Sequence, residues 1–385
     1  MKIVCAASVL AGEEAFRTLG DVVVIPEEEI RAAHLSDAEV LITRSKARIN
    51  ESLLKDSAVR FVGCAVAGTD HIDSDYLARE GIAWSHAPGC NANSAAEYVI
   101  TALLNEAERH AIELASCTLG IIGVGNIGSR VAALASSIGM TVLLNDPPRE
   151  ALEGNRKMDF LDLNDVLPNA DFVTLHVPLN LSGPYKTAHL VDHRFLAELT
   201  PGAILINASR GETMDSDALL MALEHGPLRQ CTLDVWENEP GIRADLLNAV
   251  DFGTPHIAGY SWEGRLNGTL HVYEACCEFL QRDPVWDPET VYPPAPPEIV
   301  LPAHQAAPQT LLTQLVNTAC PLLEDDQRLR AGASDRAEEM ARHFISLRRN
   351  YAERREFSAY RVALQGADTL TVERAEACGF QVADT

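Results

Sequence analysis

Lysine is nearly missing from this chain: five occur in 385 residues, at positions 2, 46, 55, 157 and 186, and arginine supplies most of the positive charge. With 31 basic against 55 acidic residues the formal net charge is −24. A surface of that sign repels phosphate backbones and anionic headgroups, so neither nucleic acid nor membrane is expected as a partner. A GC-rich genome accounts for such a bias; adaptation to a salty interior is the sharper alternative, because salt screens the self-repulsion. Long apolar runs are lacking too, and none reaches the roughly 20 residues of a membrane-spanning helix. The nine cysteines show no C-x-x-C spacing, so reduced thiols are expected rather than a disulfide framework, and no metal site is expected. Cys276 and Cys277, adjacent on a helical stretch, are expected to pack. Met1-Lys2-Ile3-Val4 reads straight into a strand without a leader, which points to the cytoplasm.

What is present is an apolar strand that breaks into glycine: Leu119-Gly120-Ile121-Ile122-Gly123-Val124-Gly125-Asn126-Ile127-Gly128. A strand, then G-x-G-x-x-G, then a helix start is the setting of a dinucleotide fingerprint. Gly123 permits the tight turn, Gly125 admits a pyrophosphate, and Gly128 allows close helix packing. Asn126 and Ile127 share that turn. The next strand, Thr141–Asn145, ends at Asp146, where an acid accepts ribose hydroxyls and repels the additional phosphate of NADP. The expected cofactor is NAD.

The length suits two or three domains. Short apolar strands at Lys2–Cys5, Val22–Ile25, Val40–Thr43, Phe61–Cys64 and Ile82–Trp84 alternate with helices and predict a parallel sheet. Ser94-Ala95-Ala96-Glu97 reads as a capping box opening a helix to about Ala111. Later strands are expected at Phe172–His176, Ala203–Asn207 and Cys231–Asp234, and a helix at Glu263–Arg282. The expected fold is α/β, with two Rossmann-like, doubly wound parallel-sheet domains: a discontinuous substrate domain, 1–93 and 257–290, and a nucleotide domain, 94–256. Ligands of such folds bind in a cleft at the carboxyl ends of the strands. After the proline-rich stop at Tyr292–Pro297, residues 291–385 read as a separate small α/β module, with elements at Gln309–Cys320, Ala333–Tyr351 and Ser358–Val362.

Moving a hydride from an alcohol carbon needs a base for the hydroxyl proton and a cation for the nascent carbonyl. His256 follows a strand end in Thr254-Pro255-His256. Glu239 is the carboxylate that would hold one imidazole tautomer and raise the ring's pKa. Arg210, in Ala208-Ser209-Arg210-Gly211, follows another strand and can fork onto a carboxylate. Arg44, Lys46 and Arg48 flank Ser45 after a first-domain strand and are the local candidates for a phosphate.

The order Arg210, Glu239 in Leu233-Asp234-Val235-Trp236-Glu237-Asn238-Glu239-Pro240, then His256, resembles the D-isomer-specific 2-hydroxyacid dehydrogenases. Ala67-Gly68-Thr69-Asp70-His71, Ala87–Ala92, Asp146-Pro147-Pro148-Arg149, Gly183–Thr187, His256–Tyr260 and the arginine-rich Arg348–Phe357 are similar to a branch acting on 4-phospho-D-erythronate in vitamin B6 biosynthesis. The resemblance spans nearly the whole chain. It implies that Arg210, Glu239 and His256 are catalytic, and that Asp146, Ser209, Asp234 and Gly259 touch the cofactor. It makes Ser45 and Tyr260 substrate contacts, and residues 291–385 a homodimerisation domain. Two positions depart: Val66 and Val177 stand where relatives carry threonine. The hydroxyl missing at Val66, on the substrate side, is worth about 1–2 kcal/mol. The alternatives are another D-2-hydroxyacid substrate, such as phosphoglycerate, or an NAD-sensing corepressor-like role.

Overall fold

Three parallel sheets organise the chain in this computed structural model, which describes residues 1–153, 159–302, 306–352 and 354–383. Glu353 of the arginine-rich run and positions 384–385 of the C-terminal module lie outside the described residues. Two compact units result: Met1–Asn91 with Tyr260–Pro294, and Ala92–Gly259 with Ala295–Thr385.

In the first unit, β1 (Lys2–Ala6), β2 (Asp21–Ile25), β3 (Val40–Thr43), β4 (Phe61–Cys64) and β5 (Ala83–His86) form a sheet in the order β2-β1-β3-β4-β5. Every residue of β3 and β4 is buried, as both faces of a central parallel strand must be, whereas the edge strand β2 is largely exposed. The chain comes back to this sheet through the helix Trp262–Leu280, capped by the Ser261 hydroxyl, which accepts from the Gly264 amide at 2.8 Å. That helix lies so close to β4 that a Cβ at Gly63 would meet Val272 Cβ at 3.2 Å. Cys276 and Cys277 are both buried in this core.

The second unit holds β6 (Thr118–Ile122), β7 (Thr141–Asn145), β8 (Phe172–Leu175), β9 (Ala203–Asn207), β10 (Leu228–Leu233) and β11 (Phe252–Gly253). Their order is β11-β10-β9-β8-β6-β7, with every pairing parallel. The order reverses between β6 and β8, the switch point where such sheets open a ligand crevice. The capping box expected at Ser94–Glu97 is not formed. The helix already begins at Ala92, Ser94 is buried inside it, and the Glu97 carboxylate instead accepts from the Phe357 amide at 2.9 Å.

The C-terminal segment adds β12 (Ile299–Pro302), β13 (Arg361–Gln365) and β14 (Gln381–Val382) with helices Pro308–Ala319, Leu322–Ala331, Ala337–Arg349 and Thr369–Ala377. Its strand starts at Arg361, because Phe357–Ala359 is a 3₁₀ turn. Leu329, Met340 and Phe344 join the core beneath β8–β11, so this segment, read from sequence as separate, falls in the same compact unit as the nucleotide sheet.

Candidate active site

The glycine turn follows β6 directly. Gly123 has φ +88, and a Cβ there would lie 2.7 Å from the His176 carbonyl oxygen. A Cβ on Gly128 would stand 2.0 Å from the Gly123 oxygen, so the helix Asn126–Ser137 approaches the turn as closely as bare backbone allows. Gly125 differs: nothing lies within 4 Å of its Cβ direction. It caps a helix start that has no side-chain cap, leaving amides and the positive helix end facing open space. Asp146, just past β7, accepts from the Val124 amide at 2.8 Å and the Arg149 amide at 3.0 Å. The Arg149 guanidinium donates to the Val124 carbonyl and to Ser129 Oγ. An open glycine cradle on a helix end, with an acid beside it, fits a dinucleotide pyrophosphate and ribose. Asn126 is exposed and Ile127 half-buried on this turn, and Val177 packs against Gly123. His176 is half-buried, and burial of its ring pushes its pKa down to about 3, so it is neutral at physiological pH.

Arg210, Glu239 and His256 arise from adjacent strands. Asn207, Leu233 and Gly253 stand level in β9, β10 and β11, so the loops that leave them emerge side by side. Gly211 is obligatory there, because a Cβ would sit 1.9 Å from the Trp236 oxygen; the Arg210 turn thus lies on the backbone of the Glu239 loop. Glu239 Oε1 accepts from the Trp236 amide at 2.8 Å, and its Oε2 stands 2.7 Å from His256 Nδ1. Burial alone would raise the Glu239 carboxyl. The His256 charge and hydrogen bond, the Trp236 amide and the Arg348 guanidinium outweigh it and hold Glu239 below its ordinary range. The imidazole is therefore backed by a carboxylate at neutral pH. Its Nδ1 is committed to Glu239, which leaves Nε2 for chemistry.

His256 has φ 55, a left-handed backbone that costs a non-glycine residue about 1–3 kcal/mol and persists only where surroundings over-determine it. Asp234 is the main constraint. Its carboxylate accepts from the amides of Ile257 (2.7 Å) and Ala258 (2.8 Å) and from Thr254 Oγ1 (2.6 Å), while its carbonyl accepts from the His256 amide (2.7 Å). Expected from sequence as a cofactor contact, Asp234 is buried and occupied with this loop. Gly259 follows the loop and is half-buried. Ser209 is buried, its amide and hydroxyl both donating to Asn207 Oδ1.

The expected substrate residues fall in the first unit. Arg44 lies over the Tyr260 ring, its guanidinium carbon 5.6 Å from the centroid, and its Nε is enclosed without a hydrogen-bond partner. Ser45 and Lys46 are exposed beside it, and Lys46 Nζ lies 3.7 Å from Glu28. Val66 is half-buried. Sequence reasoning missed Glu27, whose buried Oε1 accepts the amides of Arg44 (3.1 Å), Lys46 (2.8 Å) and Ala47 (3.2 Å) and so shapes this loop. In Pro26-Glu27-Glu28-Glu29 it looks like a solvated acidic run. Among the described residues one group, Glu106, His110 and Asp251, brings possible metal-ligand atoms within 4.8 Å of one another, but His110 and Asp251 already hydrogen-bond at 2.5 Å.

Comparison with known proteins gives the family. Residues 91–258 match the NAD-binding domain of D-isomer specific 2-hydroxyacid dehydrogenases, and residues 293–376 match a domain of unknown function. The chain is 42% identical over 372 residues to an erythronate-4-phosphate dehydrogenase of Escherichia coli O7:K1, covering 97% of this chain and 96% of that one. The namesake of Shigella flexneri is equally similar, at 42% over the same shares. Among solved structures, the D-lactate dehydrogenase of Aquifex aeolicus with NAD and lactic acid is 26% identical, with a TM-score of 0.60 over 72% of this chain and 95% of that one. The TT0316 protein of Thermus thermophilus is 27% identical, with a TM-score of 0.62 over 74% and 98%.

Proposed function

The chain belongs to the D-isomer-specific 2-hydroxyacid dehydrogenase family and is an NAD-dependent dehydrogenase of CH–OH groups; from that premise we propose that it oxidises the C2 hydroxyl of 4-phospho-D-erythronate to the 2-oxo acid, a step toward pyridoxal phosphate. When bound, NAD supplies the hydride acceptor, held by the open face at Gly125 and by Asp146. His256 Nε2 takes the hydroxyl proton as the C2 hydrogen leaves as hydride. Glu239 fixes the ring tautomer and stabilises the protonated ring. Arg210 pairs with the substrate carboxylate and the growing carbonyl oxygen. Arg44 and Lys46 receive the phosphate, with Ser45 and Tyr260 beside them. The observation that carries the chemistry is the 2.7 Å contact between His256 and Glu239; the substrate rests on the likeness to the relatives.

Homodimerisation through the C-terminal segment and a cytoplasmic location belong to the same proposal; nine free cysteines support a reducing compartment. No helix among the described residues is long and apolar enough to cross a membrane. The test is NADH formation by the purified protein on 4-phospho-D-erythronate, 3-phosphoglycerate and D-lactate, with 2-oxoglutarate in a parallel set to recycle bound NADH. A preference of at least a hundredfold in kcat/KM for phosphoerythronate is expected. Turnover of another acid alone refutes the substrate, and NADH binding without turnover of any acid refutes the enzyme in favour of a sensor.

A further inference from the structure

The acid/base histidine sits in an unfavourable backbone conformation on a short loop, Gly253–Ala258, and the loop's amides and carbonyls show what keeps it there. From the sheet side, Asp234 takes the amides of residues 256, 257 and 258. The Thr254 carbonyl accepts from Trp236 Nε1 at 2.9 Å. Those bonds hold the middle of the loop. Its two ends are tied elsewhere, to the C-terminal segment.

At the entry, the Gly253 amide donates to Asp326 Oδ1 at 2.8 Å. Asp326 is aimed by Arg330, whose Nε reaches both carboxylate oxygens at 2.8 and 2.9 Å. The other guanidinium nitrogens of Arg330 donate to the carbonyls of Leu247 (2.6 Å) and Val250 (3.0 Å), fixing the chain that leads into the loop. At the exit, the Ala258 carbonyl accepts from Arg354 Nη2 at 2.9 Å, and the same nitrogen reaches the Ser94 carbonyl at 2.8 Å. Arg354, Ser94 and Ala258 are all buried, so these bonds are shielded from competing water. Ala258 is consequently held through both of its backbone polar groups, by Asp234 at its N–H and by Arg354 at its C=O. Between the ends, Pro255 faces a cavity that it shares with Asp325, Leu347 and Tyr351, so polar ties rather than close packing hold this side of the loop.

We propose that the C-terminal segment clamps the loop Gly253–Ala258, and that Arg354 and Asp326 act as positioning residues for His256. The proposal rests on the acid/base reading of His256. It gives residues 293–383 a part in the reaction within each chain, separate from any part in assembly.

The test uses the full-length protein carrying Arg354→Lys or Asp326→Ala, each made in the wild-type and His256→Gln backgrounds. Arg354 reaches both carbonyls through Nη2 while Nη1 donates to Cys320 Sγ; lysine keeps the charge but has one shorter-reaching nitrogen in place of that anchored pair. A displacement of about 1 Å at a proton-transferring group costs on the order of a hundredfold in rate. In the wild-type background each variant is expected to lower kcat about 10- to 100-fold, with KM for phosphoerythronate and the NADH dissociation constant changed less than threefold. In the His256→Gln background the same variants lower the residual rate less than twofold, because the group they position is gone. Equal losses in both backgrounds, or an unchanged kcat in the wild-type background, overturn the proposal. A His256→Gln enzyme within tenfold of wild type sinks the acid/base reading itself and the clamp with it. Should Arg354→Lys not fold, Asp326→Ala decides by the same comparison.

Discussion

Replacing Glu239 by glutamine exchanges one oxygen for an amide nitrogen and leaves side-chain size unchanged, so its effect isolates the electrostatics of the dyad. Both carboxylate oxygens are engaged, Oε1 by the Trp236 amide at 2.8 Å and Oε2 by His256 Nδ1 at 2.7 Å. An amide has one acceptor oxygen. If that oxygen stays with Trp236, the NH₂ group donates to Nδ1, the ring proton moves to Nε2, and the ring loses the lone pair that takes the substrate proton. If the amide turns over, two N–H groups face each other, a mismatch of about 1–3 kcal/mol. In either orientation the protonated ring loses its counter-charge. A combined loss of about 3–4 kcal/mol in the transition state lowers kcat about 100- to 1,000-fold, with KM changed little. A kcat within fivefold of wild type, measured by NADH absorbance at saturating substrate, refutes the reasoning. Stability carries a second signature. Because the native Glu239 pKa is depressed, its contribution is present above its ordinary value of 4.5 and is lost as pH falls through the lower native value. The acid limb of the melting curve between those values is therefore shallower in Glu239→Gln than in wild type.

Three further outcomes are expected. Gly125→Ala, which meets nothing within 4 Å, keeps the wild-type melting midpoint but weakens NADH binding at least tenfold in a fluorescence titration; Gly128→Ala, 2.0 Å from the Gly123 oxygen, lowers urea stability by about 2–3 kcal/mol or prevents folding. Equal effects of the two refute the division of labour between open cradle and helix contact. Glu27→Gln loosens the Arg44–Ala47 loop and raises KM for phosphoerythronate about five- to tenfold with the NADH dissociation constant unchanged; a shift in NADH binding instead refutes it. Activity across a potassium chloride series is expected to hold into molar salt, as a net charge of −24 implies for a salt-adapted surface; loss of activity there removes that interpretation.

The two larger sheets were legible because a parallel strand is a short apolar run between breakers, and β3, β4, β7 and β9 begin and end where hydrophobicity does. The glycine turn was legible because a tight turn and a close helix contact leave few other residues possible. What escaped are residues whose meaning is set by distant partners. Ser94 and Glu97 have capping-box spacing, but the Phe357 amide competes successfully for Glu97. Glu27 differs from Glu28 and Glu29 only in being buried beneath a loop, and local sequence carries no trace of that. The helix Leu322–Ala331 was hidden because the face it buries mixes Leu322 and Leu329 with the acids Asp325 and Asp326, which read locally as a solvated charge run.

The first sheet is completed by a helix made long after it. Its five strands end at His86, yet Leu266, Val272 and Tyr273, which cover them, come from Trp262–Leu280. Between the two the ribosome delivers the whole nucleotide sheet. At roughly 5–20 residues per second, the nascent amino-terminal strands wait on the order of ten to forty seconds with part of one face uncovered. During that interval the later-made sheet gains all its strands, although its own core still lacks Leu329, Met340 and Phe344. A segment made first thus depends on one made much later for its core, so the first unit cannot be completed before the second sheet has been synthesised.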